Sequence, residues 1–176
     1  APNVDAVVYF AEQILPAIRR QHPGVKFIIA GQRPVKKVRA LAGPDITVTG
    51  FVKDLAAIYN DASVVVSPLR FGAGTQNKVI EAMAMGIPVV CSHVGFKGLG
   101  IENGAGAFME TTPEGFAAQV SRLLSDEQLR RNTGEAGRGV AQKRFNWDMI
   151  AVQLEAYFRE VCLAKTGKDD MAGPLT

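Results

Sequence analysis

Short runs of apolar, largely β-branched residues, each of strand length, alternate along this chain with segments whose apolar residues recur at helical spacing. The runs are Val25 to Ala30, Ile46 to Thr49, Val64 to Ser67, Ile87 to Cys91 and Ala107 to Met109. Between them, Pro34 to Ala42, Asp54 to Asn60 and Gln76 to Met85 read as helices, the second with Asp54 placed to cap it. Strands joined through helices pair in parallel, because the connection must cross over one face of the sheet. The alternation therefore predicts an α/β fold, a parallel sheet with helices on both faces, and Val25 to Ala30 reads as a buried strand ending at Gly31. A strand followed by glycine is a pattern found at ligand loops.

Helices flank this region. Val4, Val7, Val8, Ala11, Ile14, Leu15 and Ile18 predict an amphipathic helix over Val4 to Gln21, kinked at Pro16 because proline removes one backbone bond. Toward the other end, helices are expected at Pro113 to Leu124, Asp126 to Gln142 and Trp147 to Leu163. Residues 1–164 then form one domain and 165–176 a flexible tail. The alternation opens with a helix, which predicts that the first strand of an α/β half-domain lies upstream.

Composition narrows the classes. With 176 residues, 47% of them apolar and 21% charged, the chain can bury a core and is neither collagen-like nor disordered. A net charge of +3 accommodates an anionic ligand without demanding nucleic acid, and no nucleic-acid partner is expected. Cys91 and Cys162 belong to no metal or disulfide pattern, and Asp169-Asp170 has no companion ligands, so no metal is expected. No run approaches the ~20 apolar residues of a membrane span, and no secretory leader is expected. The expected setting is cytoplasmic, with attachment to a membrane surface left open for the full-length protein.

The informative segment is Phe71-Gly72-Ala73-Gly74-Thr75-Gln76-Asn77-Lys78-Val79-Ile80-Glu81, between a strand and a helix, where open α/β sheets bind ligands. Gly72 and Gly74 permit close backbone approach, and Thr75 as helix cap would leave free amides and a dipole facing an anion, which points to phosphate. Lys78 then sits in the first turn, where the dipole disfavours a cation by ~0.3–1 kcal/mol unless a phosphate reverses the sign. Glu81 lies on the same face, roughly 9 Å from the cap at ~1.5 Å per residue, and its two oxygens suit a ribose diol. Equally, the glycines could simply turn the chain while Lys78 and Glu81 form a surface pair. A dinucleotide fingerprint fails at Asn77 and at the strand end Val90-Cys91-Ser92-His93, and no Walker A loop begins at Gly72 or Gly95.

Pro68 to Thr75 followed by Lys78-Val79-Ile80-Glu81-Ala82-Met83-Ala84-Met85-Gly86-Ile87-Pro88-Val89-Val90 resembles the donor-site signature of group 1 glycosyltransferases of the retaining GT-B type. The resemblance extends through Val48 to Asp54 and Gly95 to Leu99 to Phe145-Asn146-Trp147. It implies a Rossmann-like fold, the C-terminal donor half of a GT-B enzyme that moves sugar from a nucleoside diphosphate to an acceptor. By the same resemblance Glu81 holds the donor ribose, Gly72 to Thr75 cradles the diphosphate, Phe51 and Val52 line the base side, and Gly31 lets the strand end approach the nucleotide. Relatives commonly carry an acidic residue eight positions before the ribose glutamate; Ala73 stands there instead.

On this reading the partners are a nucleotide sugar and, through the absent N-terminal domain, an acceptor glycan or lipid-linked sugar. No cofactor is required, and the fragment alone binds donor without turnover. A nucleotide-sugar epimerase and a non-catalytic binding domain are the alternatives.

Other residues admit two readings. Arg33, Arg70 and Lys97 could meet phosphate or be solvated charges, and His93 could donate into the site or stay uncommitted. Cys91 reads as strand core, Met83 and Met85 as helix packing, and Trp147 as a helix anchor.

Overall fold

The computed structural model describes residues 1–169 apart from Ala73 and Thr75. The chain begins with α1 (Pro2–Tyr9), a π-helical turn (Phe10–Ile14) and α2 (Leu15–Gln21). Proline at position 16 has no N–H for the usual bond, and the helix absorbs this by widening ahead of it: the Leu15 N–H bonds the Phe10 carbonyl, one residue beyond the α-helical partner. The irregularity expected at Pro16 is thus a π-bulge centred before it.

Next come β1 (Phe27–Ala30), α3 (Lys36–Arg39), β2 (Ile46–Gly50), α4 (Leu55–Asp61), β3 (Val65–Ser67), α5 (Asn77–Ala84) and β4 (Val89–Cys91). Asp54 caps α4 as its sequence position suggests, accepting from the Ala57 N–H at 3.2 Å. After β4 the chain makes a single-turn α6 (His93–Phe96) and a 3-10 turn (Lys97–Leu99). It continues through β5 (Ala107–Met109), α7 (Pro113–Ser125), α8 (Glu127–Arg144) and α9 (Trp147–Asp169). The last helix extends past Leu163 into the segment expected to be a tail; residues 170–176 and the Trp147 side chain lie outside the described residues.

All named strand pairs are parallel, as the alternation requires. In the ladder β3-β4-β5, Val65 faces Val89 and Val90 faces Phe108. Because side chains alternate across a strand, Val90 joins Phe10, Ile14, Leu15, Ile18, Phe116, Val120 and Leu123 on one face. Val89 and Cys91 join Val79, Ala82, Met83, Leu99 and Ala107 on the other. The fold is α/β, with helices packed on both faces of this ladder.

The expected continuous sheet is divided. β1 pairs only with β2, and among the described residues no ladder bond joins β1 to β3. Nor is β1 buried throughout: Ile29 points inward while Ile28 is 42% exposed, because α3 contributes one buried side chain, Val38, and α4 none. An apolar run reads as doubly covered in sequence, but only tertiary packing supplies the second cover.

α5 ends in a Schellman arrangement. The Gly86 N–H bonds the Met83 carbonyl and the Ile87 N–H bonds the Ala82 carbonyl, both at 2.9 Å, with Gly86 at φ +75°. α8 crosses this turn at backbone distance, so that a Cβ at Gly134 would lie 2.0 Å from the Gly86 oxygen. The Arg138 guanidinium donates to the Met85 carbonyl at 2.9 Å and closes the end of α5. The helix that carries Lys78 and Glu81 is therefore held at its far end by backbone contact.

Candidate functional site

The loops after β1, β2, β3 and β4 gather at the carboxyl ends of the parallel strands, the ligand side of such sheets. The loops after β1 and β2 are joined by the Gly31 N–H bonding the Gly50 carbonyl at 3.3 Å. After β3 the chain passes through Gly72 at φ +146° and Gly74 at φ +78°, values that side-chain-bearing residues rarely adopt. A Cβ at Gly72 would touch Val94 at 3.6 Å, which places this loop against α6. A Cβ at Gly31 or Gly74 would meet nothing within 4 Å, so internal packing does not demand the absence of a side chain there.

The cap differs from expectation. Gln76 occupies the N-cap with extended backbone (φ −91°, ψ 94°), while Thr75 and Ala73 lie outside the described residues. Helical geometry begins one residue later than a Thr75 cap implies, because the chain stays extended through Gln76. Lys78 becomes the second helical residue, and Glu81 stands roughly 7.5 Å along the axis from the cap. The Gln76 carbonyl accepts from the Val79 N–H at 2.8 Å, leaving the first-turn amides of Asn77 and Lys78 without intrahelical partners.

Gly31, Arg33, Lys78 and Glu81 line one cavity of about 800 Å³, together with Tyr59, with Phe27 and Ile29 of β1, and with Val65 and Val66 of β3. Phe51, Val52, Gly72 and Gly74 are outside that lining. Phe51 is 71% exposed on the turn after β2, an aromatic face open to solvent at the same end of the fold.

The polar contacts involve residues that the local pattern did not single out. The Tyr59 hydroxyl donates to Glu81 Oε2 at 3.0 Å and lies 3.4 Å from the Lys78 carbonyl oxygen. Burial, and then the neighbouring carboxylate, push its phenol well above the ordinary tyrosine value, so it remains a donor across the physiological range. Lys78 Nζ donates to Asn3 Oδ1 at 2.8 Å, and burial lowers the pKa of its ammonium. Arg70 is engaged rather than available for phosphate. Its Nε donates to Asp5 Oδ2 at 2.9 Å, and its guanidinium lies 4.8 Å from the Tyr9 ring centroid. The hydrogen bond from Arg70 holds the Asp5 carboxyl below the usual carboxylate range.

Asn3, Asp5 and Tyr59 stand 75, 65 and 22 residues from their partners, so no motif spacing could have revealed them. Lys97 and His93 are exposed and lie outside the cavity lining. Cys91 is strand core, its thiol pushed up to about 12 by burial. Among the described residues no group of three or more metal-ligating side chains converges, and no helix is long and apolar enough to cross a membrane.

The arrangement offers free amides and an ammonium for an anion, a carboxylate on the same helix for hydroxyls, and a glycine-rich approach. Comparisons with known proteins bear on the family. Spore coat protein SA of Bacillus subtilis is 26% identical over 165 residues, covering 84% of this chain and 44% of that protein. A GDP-mannose-dependent alpha-(1-6)-phosphatidylinositol monomannoside mannosyltransferase of Mycobacterium tuberculosis is 30% identical over 161 residues, covering 82% of this chain and 42% of that protein. Among solved structures, Anabaena Alr3699/HepE in complex with UDP-glucose superposes with a TM-score of 0.71 at 19% identity, over 84% of this chain and 44% of that one. The chain thus spans less than half the length of these relatives. The family model described as Glycosyl transferases group 1 matches residues 1–126, more than two thirds of the sequence, and the chain belongs to that family.

Proposed function

We propose that this chain is the donor-binding domain of a glycosyltransferase that transfers a sugar from a nucleoside diphosphate to an acceptor hydroxyl. The observation that carries the reading is the placement of Lys78 and Glu81 on one face of α5, in one cavity with Gly31, where the strands end. In this assignment the diphosphate lies against the Gly72 to Thr75 loop and the amides of Asn77 and Lys78, and the ribose diol is held by Glu81. The base lies toward Gly31, Phe51 and Val52. Family membership supports it, and so do the mannosyltransferase and UDP-glucose relatives, whose different bases leave the choice of base to experiment.

The reaction breaks the bond between the anomeric carbon and the β-phosphate oxygen, forms one to the acceptor oxygen, and releases the acceptor proton. This chain's contribution is to stabilise the departing diphosphate. Amides preorganised at a helix start cost no rearrangement as charge develops, and Lys78, freed from Asn3, adds a cation. Retention of anomeric configuration follows the family assignment. Acceptor-side groups are assigned to an N-terminal domain. The apolar depth of the cavity, between β1 and β3, is assigned to an upstream first strand of this half-domain, and only its polar part at Gly31, Lys78 and Glu81 to the donor. No cofactor or metal is assigned.

Calorimetric titration of wild type and Glu81→Ala with UDP, GDP and ADP tests the reading. Loss of a hydrogen-bonded carboxylate is expected to weaken the preferred nucleotide by roughly ten- to a hundredfold. Equal affinities for the two proteins would remove Glu81 from the site.

A further inference from the structure

Tyr59 lies in the last turn of α4, the crossover between β2 and β3, and reaches α5 with its hydroxyl 3.0 Å from Glu81 Oε2. Its ring packs against the cluster formed by Val79, Ala82 and Met83, which fixes where the hydroxyl stands. A phenol has one hydrogen to give, and of its two acceptors the carboxylate is nearer than the Lys78 carbonyl at 3.4 Å. Glu81, by contrast, is exposed.

Resting on the donor-site reading above, we infer that Tyr59 is a positioning residue for Glu81: its hydroxyl holds the carboxylate in the orientation that accepts both ribose hydroxyls. The phenol uses one of the acceptor positions on Oε2 and leaves Oε1 and the second position on Oε2 for the diol. A carboxylate anchored before the ligand arrives loses less side-chain freedom on binding, which corresponds to roughly two- to tenfold in affinity. The contact also ties α4, the crossover that follows β2, to the helix bearing the carboxylate.

The test titrates the full-length protein with UDP, GDP and ADP and, for the tightest of these, with its 2′-deoxy form, in wild type, Tyr59→Phe and Glu81→Ala. Phenylalanine keeps the ring and its packing and removes only the hydroxyl. Wild type is expected to favour the ribonucleotide about tenfold, and Glu81→Ala to abolish that preference. Tyr59→Phe should cut the preference by roughly two- to tenfold, weakening the ribonucleotide more than the 2′-deoxy form, which keeps only its 3′-hydroxyl for Glu81. If Glu81→Ala abolishes the preference and Tyr59→Phe retains all of it, the positioning role is overturned and the donor site stands. Equal weakening of both nucleotides in Tyr59→Phe marks a packing role and likewise overturns the inference. A wild type that does not distinguish ribose from deoxyribose overturns the diol reading, and the role of Tyr59 with it.

Discussion

The two parallel ladders of this domain are built from similar residues and end up in different environments. β4 is buried at all three positions, flanked by β3 and β5 and covered by α7 on one face and by α5 and α8 on the other. β1 has a neighbour on one side only, and its outer face leaves Ile28 42% exposed. A strand's stability is decided by the number of surfaces that cover it, more than by its own hydrophobicity. The difference also divides the site. Lys78 and Glu81 rise from α5, anchored on the covered ladder, whereas Gly31, Phe51 and Val52 extend from the thin one. In the proposed assignment the phosphate and ribose side stands on the covered ladder, and the base side on the β1–β2 pair.

The sharpest way to break this contrast is at the crossing of α5 and α8. Gly134→Val forces a side chain into the Gly86 carbonyl, and a loss of about 3 kcal/mol or more is expected in urea unfolding. A loss under about 1 kcal/mol would show that α8 does not clamp the covered side. Paired truncations come next: Val89→Ala on β4 should cost about 2 kcal/mol and Ile28→Ala on β1 under about 1 kcal/mol. Equal costs would erase the distinction between the ladders.

Hydrogen exchange sharpens the same point without mutation. Amides of Phe27 to Ala30 should exchange well before those of Val89 to Cys91, since lightly covered ladders open locally. In a chain extended by its natural upstream residues, protection at Phe27 to Ala30 and Val65 to Ser67 should rise if a strand enters between these edges. Unchanged protection would mean that the two ladders are separate by design.

The smallest expected effect is electrostatic. Burial depresses the Lys78 pKa in the free protein; in the proposed assignment a bound diphosphate would raise it again, so that the protonated form would be the one that binds. Nucleoside-diphosphate affinity should therefore be full at lower pH and fall severalfold as pH rises through the depressed Lys78 range, below 10.5. Lys78→Arg should remove that fall, because guanidinium does not titrate there. A pH profile identical in both proteins would separate Lys78 from the phosphate.

Periodicity and turn chemistry, which are local, made much of this legible in the amino-acid sequence alone. The strand and helix alternation, the Asp54 cap and the glycine-rich approach to Lys78 and Glu81 all follow from residues close together in the chain. Tertiary structure decided what depends on distant partners. It moved the helix start to Asn77, engaged Arg70 with Asp5 and Lys78 with Asn3, set Tyr59 against Glu81, and left one face of β1 uncovered. The physical reason is that dihedral preference and apolar spacing are properties of a segment, whereas burial and hydrogen-bond partnership belong to pairs of surfaces that meet only when the chain has folded.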